Sequence, residues 1–209
     1  MSKIVKIAML LVALTATISF AGGYAFRAGF SLYTSEDSKM DEMAGICDGY
    51  SYGGGLVTIV TLNSKLSFVS EFSFLYRKPM ILGDVEDGHI YEEYLTEFAM
   101  SIPIMFQLTL AEGIPYLAAG VQLDSPISPK ITSEIDDKVE KSRDANGRKS
   151  PDFGILLGLG YLITPNIGLD ARAVIGLTSL FEKLDNTFLF ERLDDSRWNQ
   201  YGAGLTYYF

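Results

Sequence analysis

Four charged residues, Arg27, Glu71, Asp170 and Arg172, interrupt segments in which apolar side chains otherwise alternate with small ones. Each falls on the small-residue side of its segment, beside glycine or serine. If those segments are strands, all four side chains point to one face, because strand residues alternate with period two. Two cations and two anions on one interior face can neutralise one another, and a buried charge is tolerated only when paired. The chemistry they support is therefore an ion-pair network filling an interior, with a narrow ion path as the sharper alternative.

The remaining reactive residues are weaker candidates. His89 is the single histidine and lies in Gly83-Asp-Val-Glu-Asp-Gly-His89. A general base of that kind works with a nucleophile, and no nucleophile motif accompanies it. It reads as a solvated loop histidine. Asp144-Ala-Asn146-Gly147 has the look of a calcium loop, but Ser142 and Phe153 stand at the first and twelfth positions, where acids are required. Cys47 is the only cysteine, so no internal disulfide can form, and nothing basic adjoins it to lower its pKa. The expectation is a non-enzymatic chain without catalytic residues, cofactor or metal.

The elements that must position the charged residues can be read in order. Tyr24 to Tyr33 places Tyr24, Phe26, Ala28, Phe30 and Leu32 against Arg27, Gly29 and Ser31. Residues 52 to 62 form a second strand, with three consecutive glycines suited to close backbone approach or bending. Leu66 to Tyr76 is the cleanest alternation, with Glu71, Ser73 and Arg77 opposite the aromatics. Residues 94 to 110 carry a fourth strand, in which Pro103 predicts a bulge. Further strands span 115 to 123, 153 to 163 and 167 to 177, and the last ends the chain.

These eight strands are joined alternately by long polar loops, roughly residues 34 to 50, 78 to 93, 124 to 151 and 178 to 196, and by tight turns at Asn63-Ser64-Lys65, 111 to 114 and Thr164-Pro165-Asn166. The third loop, with six basic and five acidic side chains between Lys130 and Lys149, reads as a solvated loop or a small hairpin. An even strand count, strands of roughly 9 to 12 residues and strict long–short alternation predict an all-β fold, an eight-stranded antiparallel up-and-down transmembrane β-barrel. The large apolar face carries almost no charge, which places lipid outside and a small crowded lumen inside.

Both ends of the chain agree. Lys3 and Lys6, the apolar run Ile7 to Phe20 and Ser19-Phe20-Ala21 read as a secretory signal peptide over residues 1 to 21, leaving residues 22 to 209 as the barrel domain. The apolar run is shorter than the roughly 20 residues of a spanning helix. Removing residues 1 to 21 takes away two lysines and no acid, so the formal charge moves from −9 to −11. Such a balance repels phosphate backbones and excludes nucleic acid as a partner. The terminal segment puts Tyr201, Ala203, Leu205, Tyr207 and Phe209 on one face. It resembles the C-terminal signal read by the barrel-assembly machinery, with Gln200, Gly202, Leu205, Tyr207 and Phe209 at the matching positions.

Several runs together resemble the PorT-like family of small eight-stranded outer-membrane β-barrels. They are Leu66-Ser-Phe-Val-Ser-Glu71-Phe-Ser-Phe-Leu-Tyr76, Ser101-Ile-Pro103-Ile, Pro115-Tyr116-Leu-Ala-Ala-Gly120, and Leu169-Asp170-Ala-Arg172 with Gly176-Leu-Thr178. The resemblance covers essentially the whole chain after residue 21. It implies an outer-membrane address and a barrel fold more firmly than an activity, and one branch of that family serves protein secretion. The expected partners are outer-membrane lipid, the assembly machinery during insertion and an envelope protein met through the loops. The rival functions are a narrow channel, a secretion component and a lipid-modifying enzyme using His89.

Overall fold

The computed structural model describes residues 23–35, 49–86, 89–110, 115–135, 138–145, 150–178 and 197–209. Ten strands occur among them: β1 (Gly23–Ser35), β2 (Gly49–Thr61), β3 (Leu66–Lys78), β4 (Met80–Glu86), β5 (His89–Thr109), β6 (Pro115–Ile135), β7 (Lys138–Asp144), β8 (Asp152–Thr164), β9 (Ile167–Gly176) and β10 (Trp198–Tyr208). Eight of them close on themselves in the order β1-β2-β3-β5-β6-β8-β9-β10, every neighbour antiparallel. The first and last strands complete the circle from Ala25↔Tyr208 to Ser35↔Trp198. Closure leaves no unpaired edge in the barrel wall, the condition for strands to cross a membrane. No helix of the described residues is long and apolar enough to do so.

The start of β1, the end of β10 and the short turns at residues 62–65 and 164–166 lie at one end. Asn63 makes the first turn by accepting from the backbone N–H groups of Lys65 and Leu66 at 2.9 and 3.0 Å, which is why asparagine suits this place. At the same end the Asn166 amide donates to the Tyr208 carbonyl at 2.9 Å, and Phe209 N donates to the Tyr24 carbonyl at 3.0 Å. The carboxy-terminus is thereby pinned to its neighbours on both sides.

At the opposite end the expectation of a loop over residues 78 to 93 is overturned. β4 continues β3 past Pro79, Arg77 pairing with Glu97 and Met80 with Tyr94 in one register, which then shifts by one residue between Met80 and Leu82. The segment escaped notice because its acids hide the period-two pattern, while the hairpin needs only backbone pairing to continue. Likewise β6 runs on far beyond residue 123 and is met by β7, the small hairpin that the charge-rich third connection allowed for. β5 and β6 have 21 residues each, about twice the 9–11 of a membrane strand. Four strands, β4 to β7, thus stand out from the barrel as a continuation of its wall.

The bulge expected at Pro103 is not there. Ser70↔Ile104 and Ser73↔Ser101 keep one offset, and only the pairs at Glu71 and Phe72 drop out of the ladder to β3. Proline removes a donor without adding a residue. The bulge lies higher, where Phe98 pairs with Ile127 but Thr96 with Lys130, and Ser128 takes a left-handed φ of 50°. An extra residue flips the side chains that follow it: Ile127 is exposed whereas Ile131, four residues on, is buried.

The face assignment follows the alternation. Phe26, Phe30, Leu56, Phe74, Phe98, Leu157, Leu159, Leu205 and Phe209 are exposed on the outside, whereas Ser51, Glu71, Ser73, Arg77, Ser101, Gln122 and Asp170 are buried inside. In water this would be an inverted protein. In a bilayer it is the arrangement a small barrel requires.

Candidate functional site

The lumen is built in tiers, and the inner one contains the four residues singled out first. β1 supplies Arg27, β3 Glu71 and β9 both Asp170 and Arg172, each on the inward side of its strand. Arg27 grips Asp170 in fork geometry, Nη2 to Oδ1 at 2.7 Å and Nε to Oδ2 at 3.0 Å. Arg172 bridges the two acids, Nη1 to Glu71 Oε2 at 2.7 Å and Nε to Asp170 Oδ1 at 2.9 Å. Arg27 Nη1 closes the ring toward Glu71 Oε1 at 3.8 Å. Ser73 donates to Glu71, and Thr206 to Asp170 at 3.5 Å. Two charges of each sign leave the tier neutral, and planar guanidinium forks suit such bidentate pairing.

Small residues make the space. A Cβ on Gly204 would lie 2.3 Å from Arg27 Nη2, so the guanidinium rests on a gap in β10. Nearer the short turns the Tyr116 ring lies over Gly160, where a Cβ would come within 2.1 Å of its Cζ. Below and around the tier Ala25, Val57, Val69, Met105, Ala118, Leu156 and Val174 form an apolar layer.

An outer tier, toward β4 and β7, was not anticipated. Arg77 is at its centre, with Nη1 3.3 Å from Glu97 Oε1 and 3.2 Å from Asp152 Oδ2, and Nη2 2.5 Å from Asp124 Oδ2. The sequence pattern puts Arg77 on the same face as Glu71 and Ser73, but Asp124 opens the segment read as a loop and Asp152 lies between that loop and the next strand. The signal was present: Asp124 continues the inward series Ala118, Gly120, Gln122, and Asp152 precedes Gly154 by two. Above the tier Tyr33 and Trp198 meet edge to face at 5.6 Å, packed with Leu95, Ile131 and Ala145.

Between the tiers, Gln122 donates to Asp124 at 2.9 Å and to Gln200 Oε1 at 3.4 Å, while Gln200 lies 3.5 Å from Ser51 Oγ. With Ser31 and Ser101 they border a polar chamber of about 30 Å³, room for a water or two. Side chains thus fill the bore from one apolar layer to the other.

The other sequence candidates are dispersed. Of the terminal residues, Gln200 faces the lumen beside Gly202, whereas Leu205, Tyr207 and Phe209 face outward. His89 opens β5, remote in the fold from the four charges, and its side chain lies outside the described residues, as do Cys47, residues 1 to 22 and most of the first and fourth long loops. Among the described residues no cluster of His, Cys, Asp or Glu has metal-holding geometry.

A closed barrel with charge inside and aromatics outside defines an integral outer-membrane β-barrel protein. The model of the outer membrane protein beta-barrel domain family matches residues 19–182, and the chain belongs to that family. Among solved structures, Neisserial surface protein A superposes with a TM-score of 0.52 at 16% identity, over 89% of this chain and 97% of that one. Ail, the attachment invasion locus protein of Yersinia pestis, reaches a TM-score of 0.47 at 16% identity, over 91% and 100%. OprG from Pseudomonas aeruginosa reaches 0.39 at 13% identity, over 90% and 96%. No curated protein matches the chain.

Proposed function

We propose that this protein is a non-enzymatic outer-membrane scaffold whose bore is closed and whose projecting wall and long loops make structural, adhesive or assembly contacts. The observation that carries the reading is the contrast between its two halves. The membrane half invests its polar residues in filling the lumen, while β4 to β7 extend the wall beyond the length a bilayer requires. Loops and extensions on a rigid scaffold are where such proteins place their binding surfaces.

Within this reading the signal peptide at residues 1 to 21 supplies the route to the envelope, the terminal strand supplies the assembly signal, and the PorT-like branch is the finer family assignment. The polar chamber between the tiers favours one rival, a narrow channel that opens when the ion pairs rearrange. Two experiments decide. Planar-bilayer recording of the purified protein should give no conductance above lipid background, and unit conductance steps would replace the scaffold by a channel. Cross-linking in intact cells followed by mild-detergent purification should recover a stoichiometric envelope partner. A cross-link pattern unchanged when residues 87 to 88, between β4 and β5, are replaced by a bulky epitope would remove the projecting wall from the contact.

A further inference from the structure

We propose that the outer rim of the barrel, from β10 across β1 and β2 to β5, seats the sugar head group of an outer-leaflet glycolipid. The register sets the outward side chains there in two rows. Tyr201, Leu32, Tyr50 and Lys78 are successive cross-strand partners, and beneath them run Ala203, Phe30, Tyr52, Tyr76 and Phe98. Tyr50 and Tyr52 stack at 6.4 Å, and Tyr76 joins Tyr52 at 5.2 Å and Phe98 at 5.5 Å. A groove of about 630 Å³ lies among Phe30, Leu32, Tyr50, Tyr52 and Tyr201 and ends at Lys78 and Tyr94.

An aromatic belt around a membrane protein is general and calls for no ligand. This one is one-sided. The matching ends of β6, β8 and β9 carry Leu123, Ile127, Phe153, Ile155 and Ile175 on the outside, with no outward tyrosine among the described residues. At the rim Lys78 Nζ lies 4.1 Å from the centre of the Tyr94 ring and 2.6 Å from Glu134 Oε1. That pair sets an ammonium donor and a carboxylate acceptor side by side above a platform of ring faces.

The combination selects the occupant. Ring faces take the C–H face of a pyranose, the ammonium takes a phosphate or hydroxyl, the carboxylate takes a hydroxyl, and the apolar lower wall of Phe30, Leu56 and Phe74 takes acyl chain. A soluble sugar would leave the lower wall unused, and a small-headed phospholipid would leave the tyrosines unused. The groove opens on the lipid-facing wall at the end opposite the short turns, so a glycolipid of the outer leaflet uses all of it.

The test is native mass spectrometry of the folded protein in mild detergent, offered equimolar amounts of a diphosphorylated, acylated glucosamine disaccharide, phosphatidylglycerol and phosphatidylethanolamine. The expected result is a one-to-one adduct with the disaccharide lipid that persists at collision energies stripping both phospholipids. Tyr50→Ala with Tyr52→Ala should cut its retention about tenfold, while Tyr161→Ala, an outward tyrosine at the other end of the barrel, should leave it unchanged. Each variant is first shown to be folded by its gel migration before boiling. Equal retention of phosphatidylglycerol, or a folded Tyr50/Tyr52 variant that holds the disaccharide lipid as well as the parent, would reduce the tyrosines to an interface belt and overturn the proposal.

Discussion

Removing Glu71 is the most searching perturbation of the inner tier. Its carboxylate is 3% exposed and lies between two guanidiniums, at 2.7 Å from Arg172 and 3.8 Å from Arg27. In Glu71→Ala those cations share only Asp170, so one positive charge is left uncompensated in the lumen. Breaking a buried pair from one side costs about 3–5 kcal/mol, far more than the net worth of the intact pair. The partner variant Arg172→Ala leaves the opposite excess, and the double variant restores neutrality because Arg27 and Asp170 remain in fork geometry. Equilibrium urea unfolding in lipid vesicles, followed on gels by the difference between boiled and unboiled migration, gives the four stabilities of a double-mutant cycle. Each single change should lower stability by about 3–5 kcal/mol, and the double change by about the same rather than the sum. Single losses below about 1 kcal/mol, or strict additivity, would show that solvent already screens the tier, and the account of a closed bore would fail with it.

Other consequences are quicker to check. Arg77→Met leaves Glu97, Asp124 and Asp152 facing one another without their shared cation, so this variant should lose about 3–5 kcal/mol in the same urea titration, and a loss below about 1 kcal/mol would refute the charge argument. Gly160→Ala drives a methyl into the Tyr116 ring and should cost about 1–3 kcal/mol, most of it regained when Tyr116→Ala is added, as read by the same urea titration. The single tryptophan, Trp198, is 8% exposed and turned toward the lumen, so its fluorescence should resist quenching by brominated acyl chains, and strong quenching would reverse the face assignment. Truncating Tyr207 to Phe209 removes the backbone tie from Phe209 N to the Tyr24 carbonyl and the last two assembly positions, Tyr207 and Phe209, and should lower the outer-membrane yield severalfold on fractionation; unchanged yield would dismiss the terminal signal.

The parts of this fold legible in the sequence are those that the bilayer constrains. A membrane strand must alternate strictly, since any charge turned outward meets hydrocarbon, and so the pattern alone assigns Arg27, Glu71, Asp170 and Arg172 to one interior. Their partners in space were not legible, because strand period fixes a face and says nothing about height. Only the register, with Gly204 across from Gly29 and Asp170, brings residues 27, 71, 170 and 172 to one level.

Beyond the bilayer that constraint lapses, and with it the pattern. In β4 and β7 backbone pairing inherited from the neighbouring barrel strand sustains the ladder, so Asp84 and Glu86, or Lys138, Lys141 and Arg143, can occupy strand positions without a signature. Asp124 and Asp152 mark the crossing point: they pair directly across β6 and β8 and still face the lumen, yet they stand at the two borders of the proline- and charge-rich connection that reads as a loop. The outer tier was therefore hidden by the same change of surroundings that frees the projecting wall to vary. A barrel of this size cannot recruit its bore for binding while Arg77 and the inner ring of ion pairs occupy it, which leaves recognition to the wall above and to the lipid-facing rim beside Tyr50 and Tyr52.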